Sequence, residues 1–148
     1  MKQHPYLRAY LAGIAVPTCL LLVALSVFCI ARLVCQIPVP IERVIIFPMA
    51  LIPNIFGLWN MLYLALHRHR YLSLGLHGAL LPFVLVPLGF LLATSLGFLS
   101  VASDGVLWFD TLHVPYSAVL MVFPVPVLIY YLVWKYLVGF LNELLGIA

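Results

Sequence analysis

The chain is short of charge. Of its 148 residues only 7% are Asp, Glu, Lys or Arg, against 66% hydrophobic, whereas soluble chains are roughly a quarter charged and about half apolar. So few polar side chains cannot cover so many apolar ones in water. A soluble globule is excluded, and a bilayer is the expected surroundings. Seven Lys and Arg stand against four acids, and the basic residues come in ones and twos, so the massed basic face that nucleic acid requires is missing. Glu42, Asp104, Asp110 and Glu143 all flank the apolar runs. That leaves no carboxylate at membrane depth for proton-coupled export. Cys19, Cys29 and Cys35 form no C-x-x-C, which removes the dithiol that membrane thiol oxidation uses. Phosphate loops, H-E-x-x-H and Ser, His and Asp groupings are missing too. No catalytic residue and no cofactor are expected.

What the chain has is long apolar runs. A membrane helix needs about 20 such residues, because the hydrocarbon core is ~30 Å thick and each residue rises ~1.5 Å. Four segments qualify: about Ala9 to Ala31, Val44 to Leu66, Leu74 to Leu99 and Tyr116 to Trp134. None alternates polar with apolar as barrel strands do. The first run ends in "FCIARLVCQ" without a small-x-small cleavage site, so it reads as a retained helix. The predicted fold is all-α: one domain, an integral membrane bundle of four transmembrane helices with proline kinks and an amphipathic C-terminal extension over residues 135–148.

Lys2, Arg8, Arg68, Arg70 and Lys135 fall on one side of such a bundle, and Arg32 and Arg43 on the other. The positive-inside rule then puts both termini in the cytoplasm, with a cell (inner) membrane as the location. Trp59, Tyr63, Tyr130, Tyr131, Trp134 and Tyr136 fit an aromatic belt at the inner interface, and Trp108 and Phe109 fit the outer one. Between spans three and four, "SVASDGVLWFDTLHVP" reads as the longest loop, with a turn at "SDG". Pro115 opens span four there, and His113 caps the loop or pairs with Asp110. After Lys135 the polar residues Lys135, Asn142 and Glu143, with Gly139 and Gly146, recur on one helix face, and Leu137, Phe140, Leu141, Leu144 and Leu145 fill the other. That tail is expected on the inner membrane surface, or as a continuation of span four.

Eleven prolines predict kinks, with Pro48 and Pro53, Pro82 and Pro87, and Pro124 and Pro126 inside the spans. The similar pairs in spans two and three raise an inverted repeat of the transporter kind, beside the plainer reading of bent helices fitting one another. Gly89, Ala93 and Gly97, at four-residue steps, form the expected helix-packing stripe, with Thr94 and Ser95 adding interhelical hydrogen bonds. Asn54 and Asn60 are the candidate polar intramembrane contacts; polar bonding between helices is the plain reading, and a solute or ion contact the sharper one. His67, His69 and His77 are weak candidates for metal or haem ligands, but Arg68 and Arg70 beside them would repel a cation. Arg68, Arg70 and Lys135 read instead as contacts to lipid headgroups. The expected partners are the bilayer, other membrane chains or a second copy. The leading function is a non-catalytic membrane subunit or self-associating helix-packing protein. The alternative is a passive conduit for a small neutral or anionic solute, and a haem or metal carrier comes last.

Overall fold

The computed structural model describes residues 4–38, 47–67, 72–108 and 112–147. It is mostly helical, with one small sheet. The elements are α1 (Pro5–Leu33), α2 (Phe47–His67), α3 (Leu74–Ala79), α4 (Leu81–Ser95), β1 (Leu99–Val101), β2 (Gly105–Trp108), β3 (Leu112–Pro115), α5 (Tyr116–Val122), α6 (Pro124–Leu132), a π-helical turn (Val133–Val138) and α7 (Gly139–Leu144). Three helical stretches, Pro5–Leu33, Leu74–Ser95 and Tyr116–Leu144, are long and apolar enough to cross a membrane. Ala50–Leu66, the apolar part of α2, is shorter.

Chain contacts divide the molecule into two compact units, Met1–Leu72 with Leu137–Ala148, and Ser73–Tyr136. In the first unit, α1 and α2 pack side by side. Ala9, Ala12, Gly13 and Pro17 form the buried line of α1, residues at three- and four-residue steps that a helix stacks on one face. A Cβ placed on Gly13 would lie 2.5 Å from the Phe56 carbonyl oxygen and 2.8 Å from the Gly57 Cα. Only glycine allows two backbones this close, and such approach is how membrane helices gain dispersion contact when lipid competes for every apolar side chain. Here the tightest helix packing lies in α1 and α2.

In the second unit α3 lies against α6 and the π-helical turn. A Cβ on Gly75 would fall 2.7 Å from the Tyr131 ring, and one on Gly78 would overlap the Trp134 ring. Gly75 and Gly78 are three residues apart, as are Tyr131 and Trp134, so two rings drop into two gaps at matching pitch. The predicted third span is broken at Leu80, because Pro82 has no N–H for the preceding turn and its ring crowds the carbonyl four residues back. The predicted fourth is broken at Phe123, ahead of Pro124 and Pro126. The edge-to-face pair of Phe83 and Phe123, 5.0 Å between centroids, joins these two breaks.

Two expectations need correcting. The first is that the fold is all-α, with span three running to about Leu99 and a loop over residues 100–115. Leu99–Val101, Gly105–Trp108 and Leu112–Pro115 are instead three antiparallel strands in the order β1-β2-β3, with Leu99 opposite Trp108 and Val106 opposite Val114. Helix α4 stops four residues short of Leu99 because Gly97 takes a left-handed φ of 73°. The Phe98 N–H then bonds the Ala93 carbonyl at 2.9 Å and the Gly97 N–H the Thr94 carbonyl at 3.1 Å, a Schellman ending. Beyond it "SDG" turns the first hairpin, flanked by Val, Leu and Trp side chains that fit strands. The second concerns the tail, which of its two expected placements takes the continuation of span four, a helix running on from the π-helical turn; what needs correcting is its wet face. Asn142 is buried while Leu137, Phe140 and Leu144 are exposed. Gly146, at φ 66°, ends it with a second Schellman pair, Ile147 N–H to Asn142 O at 2.8 Å and Gly146 N–H to Glu143 O at 2.9 Å.

Four serine and threonine hydroxyls of the spans turn back on their own helices. Thr18 bonds Ile14 O, Ser26 bonds Leu22 O, and Ser95 bonds Leu91 O at 2.6 to 2.9 Å, and Thr94 shares the Phe90 and Leu91 carbonyls. Thr94 and Ser95 thus serve their own helix instead of bridging to another. A hydroxyl facing hydrocarbon satisfies itself in this way.

Candidate functional site

The most polar buried place in the first unit is a knot of amides among α1, α2 and α7. Asn60 is fully buried. Its Nδ2 donates to the Ala9 carbonyl at 2.8 Å and to Asn142 Oδ1 at 2.8 Å. Asn142 Nδ2 donates back to Asn60 Oδ1 at 3.3 Å. Each amide offers two N–H groups and a two-lone-pair oxygen, so the pair meets most of its own demand and leaves Asn60 no free N–H. Helical periodicity explains the meeting. Asn60 shares the inward side of α2 with Phe56 and Gly57, while α7 turns Asn142 toward it. Next to the knot, Arg8 Nη1 donates to the Leu145 carbonyl at 3.3 Å, a cation on the exposed carbonyls that close a helix.

Asn54 sits differently. Its side chain is exposed, accepts a short hydrogen bond from the Tyr10 hydroxyl, and donates one N–H to the Ala50 carbonyl at 2.6 Å. The structure therefore does not bring Asn54 and Asn60 to one place. The Asn60–Asn142 pair went unforeseen because Asn142 looked like the wet face of a surface helix.

The small-residue stripe is divided as well. A Cβ on Gly89 meets nothing within 4 Å, Gly97 is the left-handed terminator of α4, and Ala93 is buried against Leu99 and Val106 of the sheet. The tight glycines are Gly13, Gly57, Gly75 and Gly78 in the helices and Gly105 in β2. A four-residue step from Ala9 to Gly13 to Pro17 was the signal in the sequence that could have found the first of them.

Of the histidines, His77 is buried with its ring edge-on to Trp134, 5.9 Å between centroids. The side chain of His67, and Arg68, His69 and Arg70 entirely, lie outside the described residues. Among the described residues no three His, Cys, Asp or Glu side chains gather to hold a metal ion. Lys135 stands exposed in the π-helical turn, its Nζ 5.7 Å from the Tyr131 ring centroid and 5.2 Å from that of Tyr136. On the meander, His113 Nε2 lies 3.1 Å from Asp104 Oδ1; Asp110, the expected partner, lies outside the described residues. Tyr116 ties the same turn down, its hydroxyl to Ala102 O and its N–H to Asp104 O. The cysteines are free thiols, Cys19 and Cys35 exposed and Cys29 half-buried.

No protein-family model, curated protein or solved structure matches the chain.

Proposed function

We propose that the chain is a four-span membrane protein with both termini in the cytoplasm, and that it acts as a non-catalytic subunit or self-associating protein rather than as an enzyme or conduit. The observation that carries the reading is the destination of the buried amides. Asn60 and Asn142, the groups best suited to meet a solute, spend their hydrogen bonds on each other and on Ala9, while long apolar faces of α1 and of Tyr116–Leu144 lie open. Polar capacity is turned inward and apolar surface outward, as in a protein whose work is contact with lipid and with other helices.

The topology has support of its own. Arg8, at the start of the first helix, touches Leu145, at the end of the last. That contact supports an even number of crossings, with α2 as the fourth beside the three long helices. The excess of Lys and Arg in the sequence on the side of the termini supports the cytoplasmic assignment. Lys135 comes ten residues before Leu145 on the same helical run, about 15 Å, and in this reading its long stem reaches from between the tyrosine rings toward the headgroups of that side.

Mild-detergent purification followed by native mass measurement tests the assignment. A complex of fixed stoichiometry is expected. Solute flux through vesicles holding the protein, lost on Asn60→Leu, would replace the reading with a conduit.

A further inference from the structure

Asn54 is an amide on the exposed side of α2. It lies seven residues into α2, about 10 Å along the helix, and its face of α2 holds Leu51, Leu58, Met61 and Ala65, with Asn54 itself at alternating three- and four-residue steps. Leu51 and Leu58 are exposed, and the opposite side of the helix, Phe56 and Asn60, is buried. Tyr10 pins the Asn54 oxygen and Ala50 O takes one of the amide N–H groups. One N–H and one oxygen lone pair of this exposed side chain remain without a partner among the described residues. An amide held in a fixed pose and facing hydrocarbon is unfavourable, since lipid offers no partner.

We infer that this face docks on the same face of a second copy of the chain, with the two Asn54 amides hydrogen-bonded to each other across a two-fold axis. The inference rests on the self-associating reading above and names its surface. Three features favour a second copy as the occupant. Copies inserted in one membrane share one topology, so their α2 helices run parallel and Asn54 meets Asn54 at equal depth without adjustment. An amide is self-complementary, being donor and acceptor at once; Asn60 and Asn142 already make such a reciprocal pair inside this chain. The steps through Leu51, Asn54, Leu58, Met61 and Ala65 are the seam of a paired parallel helix, where one asparagine among apolar residues fixes register and partner number.

The test uses the full chain in phospholipid vesicles, with Cys19, Cys29 and Cys35 replaced by Ala. Single Asn54→Cys and Leu58→Cys variants should form disulfide-linked dimers on oxidation, because Cα atoms on the seam approach within about 7 Å. Ile52→Cys, on another side of α2, should not. In the protein with its native asparagine, association is expected to fall about three- to thirty-fold on Asn54→Leu, the range for one interhelical hydrogen bond, and to recover largely with Asn54→Gln. Cross-linking strongest at Ile52→Cys, or association indifferent to Asn54→Leu, overturns the seam. If a stable oligomer persists through other contacts, the functional reading survives that failure. A monomer that conducts solute ends both.

Discussion

The two units are fastened by different means, and each matches what its helices bring. In the unit of α1, α2 and α7, backbones meet at Gly13 and Gly57, and the remaining polar demand is met by the Asn60–Asn142 pair and the Arg8–Leu145 bond. In the unit of α3 to α6 the tight glycines of the helices do not meet backbone; only Gly105, in the sheet, does. Gly75 and Gly78 make room for the rings of Tyr131 and Trp134, and Phe83 meets Phe123 edge to face. The first is close-fitting with little side-chain volume to lose; the second is filled by large rings. A small residue added at a glycine should therefore harm the first through separation of helices, and a ring removed should harm the second through an empty space.

The largest expected effect is on the ring-filled unit. Trp134→Ala should cost about 3–5 kcal/mol, the usual range for deleting a buried aromatic, read by reversible unfolding in mixed detergent. A loss below 1 kcal/mol would mean that the rings are not what holds α3 to α6. Next is the amide knot. Asn60→Leu or Asn142→Leu should each cost about 1–3 kcal/mol, because each strands the other buried amide. The double variant should cost clearly less than the sum, and additivity in that cycle would dissolve the knot. Gly13→Ala should follow at about 1–3 kcal/mol, as overpacking against unyielding backbone does. Gly89→Ala, with open space around it, should be neutral or slightly stabilising through helix propensity. Equal effects at the two glycines would erase the distinction drawn between α1 and α4. The smallest change belongs to the meander. Asp104→Ala removes an exposed pair with His113, and such pairs contribute about 0.2–1 kcal/mol. A larger loss there would give the sheet a weight its short strands do not suggest.

Much of the helical plan was legible beforehand, and the reasons are local. Pro82, Pro124 and Pro126 stand at the breaks at Leu80 and Phe123, where a missing N–H acts on its own turn, whereas Pro53 and Pro87 lie inside unbroken helices. "SDG" marked a turn, yet the strands on either side of it escaped notice. Leu-Ser-Val and Leu-His-Val are too short for a period to stand out, and they became strands only by pairing with Gly105–Trp108. Gly97 was read as a packing residue from its four-residue spacing to Ala93, but spacing does not report φ, and the chain uses that glycine to stop the helix. Asn142 was read as wet by the ordinary amphipathic rule. That rule inverts where the surroundings are apolar and the polar partner, Asn60, lies on a helix 82 residues away.

Composition alone determined that the chain belongs in lipid, because no arrangement of so few charges could wet so much hydrocarbon side chain. Proline and apolar length set where helices run and bend, since both act through neighbouring bonds. Only the tertiary structure decided which glycines are contacts and which are hinges or open surface. It alone also decided that one asparagine is buried in a reciprocal pair while another, six residues earlier, faces out. Those outcomes depend on what stands opposite each residue, and distance along a chain does not encode which residues meet.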